Sequence, residues 1–96
     1  MRFADEGTRD IFDGLDTKAA RKTLPKALWP VARRKLDMIQ AASRLEDLRI
    51  PPGNRLEALK GSLEGFYSVR INDQYRVIFR WDEQEGAQDV RIVDYH

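Results

Sequence analysis

Six polar residues in the C-terminal part of the chain have the types needed for chemistry on a phosphodiester. They are Lys60, Arg70, Arg76, Asp94, Tyr95 and His96. Cleaving RNA requires a base for the ribose 2′-hydroxyl, an acid for the leaving 5′-oxygen and cations for the charge that develops around phosphorus. Histidine has a reference pKa of about 6.5, so it can act as acid or base at cellular pH. Arginine can hold two phosphate oxygens at once, and preorganised charge is usually the largest catalytic contribution.

Each of these signals also has a purely structural explanation. His96 is the single histidine and the last residue, and a terminal histidine is more often a frayed end than a catalyst. Arg70, Arg76 and Arg80 fall on alternate positions, as the solvated face of a sheet does. Asp94 lies two residues before His96 and could orient its imidazole. No glycine-rich phosphate loop, Ser-His-Asp set or paired-carboxylate motif offers a competing chemistry.

Composition narrows the classes to which the protein can belong. Its 96 residues suffice for one domain, expected to span residues 1–96, and 42% hydrophobic with 34% charged residues are typical of a folded globular chain. Cysteine is absent and histidine occurs once, so we expect no disulfide, no metal site and no cofactor. The sequence shows neither a signal peptide nor an apolar run long enough to span a membrane. We therefore expect a cytoplasmic protein without a membrane partner.

Basic residues are concentrated in one segment, although the net charge is only +1. Residues 17–36 contain no acidic residue and these basic ones: Lys18, Arg21, Lys22, Lys26, Arg33, Arg34 and Lys35. Such a block suits a polyanion or an acidic partner protein, and a solvated helix face is the alternative explanation. Arg33, Arg34 and Lys35 are accordingly candidate RNA-binding residues.

The N-terminal part has the periodicity of helices. Residues 7–15 predict a short helix with Thr8 as its N-cap and Gly14 at its end. Further along, the sequence "SRLEDL" has Ser43 followed three residues later by Glu46, which predicts a capping box and a turn of helix.

The longest helical pattern covers residues 26–42. Leu28, Ala32 and Leu36 recur at helical spacing and define its apolar side. Pro30 does not suit a helix interior, because it removes one backbone hydrogen bond and crowds the preceding turn. The helix therefore either begins near Trp29 or is kinked there, and we expect the kink.

From residue 55 onward the apolar residues alternate, which is the period of a strand. Predicted strands cover residues 55–61, 65–71, 74–81 and 89–95, with an exposed acidic loop at 82–88. We expect core positions at Tyr67, Tyr75, Phe79 and Trp81. Helices followed by strands predict an α+β domain, in which N-terminal helices pack on a mainly antiparallel sheet of about four to five strands.

The connection between the second and third predicted strands can be specified more closely. The apolar faces of the two strands coincide only if an odd number of residues makes the turn, which predicts a loop of Asn72, Asp73 and Gln74. This register places Arg70 directly opposite Arg76. Like charges paired across strands are mildly destabilising, so we expect a negative group to approach that face.

Two stretches resemble a known family. The sequence "PPGNRLEALKGSLEGFYSVRINDQYRVIFRW", followed by "DVRIVDYH", is similar to the HigB/GraT-type toxins of the RelE superfamily, also described as plasmid maintenance system killer proteins. The motifs "LKG", "RINDQYR" and "DYH" carry the resemblance, which extends over almost the whole chain. Tyr67 and Tyr75 stand where relatives often have tryptophan, and Pro30 also departs from the usual pattern.

The resemblance implies a RelE-like, microbial-RNase-type fold and a toxin that cleaves messenger RNA in the ribosomal decoding site. Cleavage would proceed by 2′-hydroxyl attack without metal. The family's active-site lysine matches Lys60, its strand arginine matches Arg76, and its terminal acid, tyrosine and histidine match Asp94, Tyr95 and His96. The family further implies a helix-turn-helix antitoxin of the HigA/GraA type. Operator DNA would be bound only through the complex with that antitoxin.

Two other functions remain open from the sequence. One is a non-enzymatic toxin that shares the RelE/ParE fold and acts by binding a protein such as DNA gyrase. Those relatives generally lack the terminal histidine and the "LKG" lysine, so Lys60 and His96 favour the nuclease. The other is a member that only binds its antitoxin or RNA, since an intact motif does not prove turnover.

Overall fold

The computed structural model describes residues 1–95, which form three α-helices followed by a four-stranded sheet. The helices are α1 (Glu6–Phe12), α2 (Lys18–Thr23) and α3 (Trp29–Ala41), and the strands are β1 (Glu57–Ala58), β2 (Tyr67–Arg70), β3 (Tyr75–Asp82) and β4 (Gly86–Asp94). Short 3-10 turns occupy Lys26–Leu28, Leu45–Arg49, Pro52–Asn54 and Gly61–Leu63. Neighbouring strands are antiparallel and follow the order β1-β2-β3-β4. The predicted α+β class is confirmed.

The first helix begins earlier than its sequence predicts. The carboxylate of Asp5 accepts a hydrogen bond from the backbone N–H of Thr8 at 2.7 Å, so Asp5 is the N-cap and the prediction for Thr8 is wrong. Thr8 is instead fully buried, and its hydroxyl accepts the N–H of Ile92 at 3.0 Å. Aspartate and threonine are both good N-caps. The Thr8 hydroxyl is already used by the N–H of Ile92, so Asp5 caps the helix. The helix ends before Gly14, as expected.

The second helix was not predicted, and the third begins where the alternative placed it. Thr17 caps α2, its hydroxyl accepting the N–H of Ala20 at 3.1 Å. Helix α3 starts at Trp29 with Pro30 in its first turn, so the expected kink is wrong. A proline in the first turn costs nothing, because the N–H that it lacks would have no helical partner there.

Two local predictions in the connecting region also change. Asp47, not Glu46, accepts the backbone N–H groups of Ser43 and Arg44 at the start of the 3-10 turn, each at 3.0 Å. The strand predicted for residues 55–61 shrinks to Glu57–Ala58, since a 3-10 turn begins directly after Lys60.

The register between β2 and β3 is the predicted one. Arg70 pairs with Arg76 and Val69 with Val77. The amide of Ile71 donates to the carbonyl of Tyr75 at 3.0 Å, which leaves Asn72, Asp73 and Gln74 as the loop.

A bulge interrupts the pairing of β3 with β4. The register shifts between Ile78 and Arg80, and Asp89 on β4 has a φ of 52°. One extra residue on one strand restores the alternation on both sides of it. Consequently Val90 and Ile92 still face the core together with Ala87.

Both outer edges of the sheet are short or covered. Residues 2–4 run beside β4: the amide of Arg2 donates to Ala87 at 3.0 Å, and the amide of Ala4 donates to Val90 at 2.8 Å. A parallel bridge joins Phe3 to Val90. The opposite edge is the two-residue strand β1, so little unpaired backbone is offered to another chain.

One face of the sheet packs against the helices and forms the core. The fully buried side chains include Ile11, Leu36, Val77, Phe79 and Val90. Of the predicted core aromatics, Phe79 is fully buried, and the other three are partly buried against the core. No helix within residues 1–95 is both long and apolar enough to cross a membrane.

Candidate active site

The sheet face opposite the core carries four arginines. By strand alternation this face includes Arg70 of β2 and both Arg76 and Arg80 of β3. Arg91 of β4 belongs to the same face, because it pairs with Ile78 of β3. We call these four residues the arginine face. The bulge at Asp89 is what brings Arg91 to the same side as Arg80.

Arg76 is the most firmly held of the four. Its side chain is only 13% exposed. One terminal nitrogen donates to the hydroxyl of Ser68 at 2.9 Å and to the carbonyl of Arg55 at 3.4 Å, and the other forms an ion pair with Glu57 at 3.2 Å. Because a guanidinium fixed on several sides loses little entropy when it binds an anion, Arg76 is preorganised for phosphate.

Tyr95 completes the surroundings of Arg76. The guanidinium carbon of Arg76 lies 5.3 Å from the centroid of the Tyr95 ring, a cation–π contact. The backbone amide of Tyr95 donates to the carbonyl of Gln74 at 2.6 Å, which anchors the residue just beyond the end of β4. Tyr95 thus reaches Arg76 on the arginine face.

Asp94 lies on the other side of the sheet. It pairs with Tyr75 while Arg76 pairs with Val93, so the Asp94 and Arg76 side chains leave the sheet in opposite directions. The carboxylate of Asp94 accepts a hydrogen bond from the side-chain amide of Gln74 at 3.0 Å. The structure therefore brings Tyr95 to Arg76 but not Asp94, while the predicted roles of His96 lie outside the described residues.

Lys60 is exposed at the end of the short first strand. The buried Leu59 precedes it, and the amide of Leu59 donates to Phe66 at 2.8 Å, which holds the start of the β1–β2 connection. The Lys60 side chain itself is open to solvent. Lys60 is thus a solvent-accessible cation and is not held in place as Arg76 is.

The like-charged pair on β2 and β3 is compensated within the chain. Arg70 forms an ion pair with Asp73 in the loop, and Arg76 pairs with Glu57. The hydrogen bond and charge of Arg70 lower the pKa of the Asp73 carboxyl, with a smaller effect from Arg55. The negative groups expected near this face are therefore at least partly the protein's own carboxylates.

The three basic residues of α3 have different surroundings. Arg33 donates its Nε to the carbonyl of Ile11 at 2.9 Å and so supports the end of α1, whereas Arg34 is exposed. Lys35 donates to the side-chain carbonyl of the fully buried Asn54 at 2.6 Å. Burial lowers the pKa of Lys35, as do the charges of Arg34 and Arg70. Arg33 is thus engaged with α1, whereas Lys35 lies within electrostatic reach of both Arg34 and Arg70.

Sequence reasoning missed the groups that position Arg76. Ser68 lies two residues before Arg70 on the same strand, so strand alternation predicts that it shares the arginine face. Glu57 was not predictable, because its pairing with Ser68 depends on the non-local register of β1 against β2. A second missed group combines Phe66 with Arg80 and Arg91, whose guanidinium carbons lie 4.4 Å and 6.0 Å from the ring centroid.

Comparisons with known proteins agree with this architecture. A family model described as "RelE-like toxin of type II toxin-antitoxin system HigB" matches residues 1–96. The chain is 42% identical over 81 residues to Toxin HigB-1 of Vibrio cholerae, covering 84% of this chain and 82% of that protein. It is also 45% identical over 62 residues to an uncharacterized protein of Haemophilus influenzae, covering 65% of this chain and 61% of that protein.

Proposed function

Because the chain belongs to the HigB-like, RelE-related toxins of type II toxin–antitoxin systems, we propose that it inhibits translation by cutting messenger RNA on the ribosome. One observation carries the proposal most strongly. Arg76 is fixed by Ser68, Glu57 and Tyr95 on a sheet face outside the helical core. A preorganised guanidinium beside an aromatic ring suits a phosphate and the adjoining nucleoside.

In the proposed reaction the ribose 2′-oxygen attacks the adjacent phosphorus, and the 5′-oxygen of the next nucleotide leaves. A base takes the proton of the 2′-hydroxyl and an acid gives a proton to the leaving oxygen. The products are a 2′,3′-cyclic phosphate and a 5′-hydroxyl, and no metal takes part. We assign one of the two proton transfers to His96, with Asp94 orienting it.

Arg76 and Lys60 stabilise the charge on the phosphorane in this proposal. The carboxylate of Glu57 occupies Arg76 in the free protein at 3.2 Å, and the Glu57 side chain is 51% exposed. Because the Glu57 end of this ion pair is half exposed, its carboxylate can turn toward solvent and a phosphate can take its place on Arg76. Tyr95 shapes the site through its contact with Arg76, and Arg70, Arg33, Arg34 and Lys35 supply further charge toward RNA.

As a toxin of a type II system, the protein has an antitoxin as its partner. We propose that this antitoxin has a helix-turn-helix domain and that operator DNA is bound only by the complex. The exposed basic residues of α2, Lys18, Arg21 and Lys22, offer charge to an acidic antitoxin surface or to ribosomal RNA.

Primer extension on a defined message in a bacterial translation extract tests the nuclease proposal. Purified protein should produce new 5′ ends at in-frame codon positions, and these ends should vanish when translation is blocked before elongation. Lys60→Gln should weaken the signal, since it removes one of the two cations assigned to the phosphorane. Arg9→Gln on α1 serves as the matched control, because Arg9 is exposed on the helical side of the sheet.

An intact message, with folded protein that still arrests growth in cells, would refute the nuclease proposal. Inhibition of purified DNA gyrase by the same protein would then identify the toxin as one that acts by binding a protein target. Cleavage that persists after the translation block would retain the nuclease but remove the ribosome from the mechanism.

A further inference from the structure

The arginine face extends beyond Arg76 to a second cluster of cations. On the arginine face Arg91 is the diagonal neighbour of Arg76, because Arg76 pairs with Val93 and Arg91 precedes Val93 by two residues. Such diagonal neighbours lie roughly 7–8 Å apart. Arg80 follows Arg76 on the same strand and the same face. The guanidinium groups of Arg80 and Arg91 are held at the Phe66 ring, whereas that of Arg76 is held at Ser68 and Glu57, so the two clusters can meet adjoining nucleotides.

The ring of Phe66 holds these two arginines together. The guanidinium carbon of Arg80 lies 4.4 Å from the ring centroid and that of Arg91 lies 6.0 Å from it. Contact with one aromatic ring offsets part of the repulsion between two like charges. It also restricts both long side chains, which lowers the entropy lost when they bind an anion.

The charge of this cluster is only partly neutralised. Arg80 has an ion pair with Asp89 at 3.4 Å, and both side chains are more than half exposed. Arg91 has no carboxylate within ion-pair distance among residues 1–95, and its Nε is buried without a hydrogen-bond partner there. Among the residues that the structure describes, Arg70, Arg76 and Arg80 each have such a carboxylate and Arg91 does not.

We propose that Arg91, with Arg80 and Phe66, forms a subsite for the backbone phosphate of a nucleotide that flanks the scissile bond. Arg91 supplies the principal charge, Arg80 supplies a second cation after its exposed partner Asp89 is displaced, and Phe66 positions both. This inference rests on the proposed nuclease function and adds a substrate contact to it. The subsite fixes the substrate strand but does not touch the reacting atoms.

The test is single-turnover cleavage of a defined message on programmed ribosomes, measured against protein concentration for the wild type, Arg91→Gln and Arg9→Gln. Arg91→Gln should raise the half-saturating concentration roughly tenfold. The maximal cleavage rate should stay at the wild-type value, because the chemistry at Arg76 is untouched. Arg9→Gln removes the same charge from the helical side and should change neither quantity.

Two further measurements separate substrate binding from a structural role. Arg91→Lys keeps the charge and should recover most of the affinity. If Arg91 served only to hold Phe66 in place, Arg91→Gln would instead lower the melting temperature. Binding of a 2′-O-methyl single-stranded RNA should also lose about 0.7 from its log–log salt slope in Arg91→Gln.

The possible outcomes are distinct. An unchanged half-saturating concentration in folded Arg91→Gln, or a loss confined to the maximal rate, would overturn the subsite and leave the nuclease proposal standing. A wild-type protein that neither cuts the message nor binds the RNA would overturn the proposed function and the subsite together.

Discussion

The guanidinium carbon of Arg76 lies 5.3 Å from the centroid of the Tyr95 ring. Arg76 lies on the inner strand β3, and Tyr95 directly follows β4. The contact therefore joins the candidate phosphate-binding cation to the segment after β4. Arg76 is bound from the other side by Ser68 and Glu57. Conservative substitutions of Arg76 or of the residues that contact it should therefore lower the cleavage rate more than they lower the stability of the fold.

Replacing Arg76 by lysine should reduce cleavage while the fold persists. Lysine keeps the charge but cannot contact two phosphate oxygens in the geometry of a guanidinium. Loss of one preorganised donor typically costs about 10²-fold in rate. Single-turnover cleavage on programmed ribosomes measures the effect, with Arg9→Lys as the matched control. Cleavage by Arg76→Lys at the wild-type rate would show that fork geometry is not needed.

Tyr95 allows its ring to be separated from its hydroxyl. Tyr95→Phe keeps the aromatic face over Arg76 and should retain most of the cleavage rate, whereas Tyr95→Leu removes the cation–π contact and should lose several-fold, corresponding to roughly 0.5–1 kcal/mol at an exposed site. The same cleavage assay distinguishes the two variants. Equal losses in both would assign the effect to the hydroxyl and contradict a role for the ring.

Replacing His96 by alanine should separate activity from stability. A general acid or base typically contributes about 10²–10⁴-fold to the rate, so cleavage should fall by that order. The melting temperature should stay at the wild-type value, since in this proposal His96 acts on the substrate and not on the fold. Full cleavage by His96→Ala would contradict the proton-transfer role that we propose.

Gly7 on α1 should tolerate no side chain. An alanine Cβ there would lie 1.9 Å from the hydroxyl oxygen of Thr23 and 2.6 Å from the carbonyl of Ala19, both on α2. Overpacking of this kind costs about 1–3 kcal/mol or more, which outweighs the roughly 1 kcal/mol of helix propensity that alanine gains over glycine. Urea unfolding should show Gly7→Ala to be clearly less stable than the wild type.

Gly53→Ala is the matched control for that experiment. Nothing lies within 4 Å of a Cβ added at Gly53, so its free energy of unfolding should stay near the wild-type value. A stable Gly7→Ala protein would mean that α1 and α2 can separate without loss, contrary to the close approach seen between them.

Asp73 should make stability depend on pH in the acid range. Its pKa is lowered by the hydrogen bond and charge of Arg70, so the folded protein favours the carboxylate. The stabilisation is present at pH values above the ordinary aspartate pKa of about 3.9, and it is lost as the pH falls through the lowered pKa. The free energy of unfolding of the wild type, relative to Asp73→Asn, should therefore be higher at neutral pH and converge in acid.

Urea unfolding of both proteins across this range measures the difference. Glu46→Gln is the control, since Glu46 is an exposed acid in the 3-10 turn. A gap between wild type and Asp73→Asn that widens as the pH falls would contradict the ion pair.

The sequence alone determined those features that follow from local periodicity. The alternation of apolar residues predicted β2, β3 and most of β4, and matching the apolar faces of β2 and β3 predicted an odd-numbered loop and the pairing of Arg70 with Arg76. Pro30 limited the long helix to two possibilities. The motifs around Lys60, Arg76 and the terminal "DYH" indicated the family.

The tertiary structure decided what depends on residues far apart in the chain. The start of α3 at Trp29 is an exception, since Pro30 suits a first turn and the Trp29 indole donates to the buried carbonyl of Leu24, five residues earlier, at 2.9 Å. Thr8 is not a cap because β4 requires an acceptor for the amide of Ile92. The need of Ile92 for an acceptor is not visible in the sequence around Thr8, since the two residues are 84 positions apart.

The site shows the same division. Residue types gave the cations, but the register of β1 supplied Glu57 as the partner of Arg76. Pairing of β4 with β3 sent Asp94 to one face and Val93 to the other, and the bulge at Asp89 brought Arg91 beside Arg80 and Phe66. A strand's period of two is a local property, whereas the face to which each residue points depends on register and bulges, which only the pairing with other strands can fix.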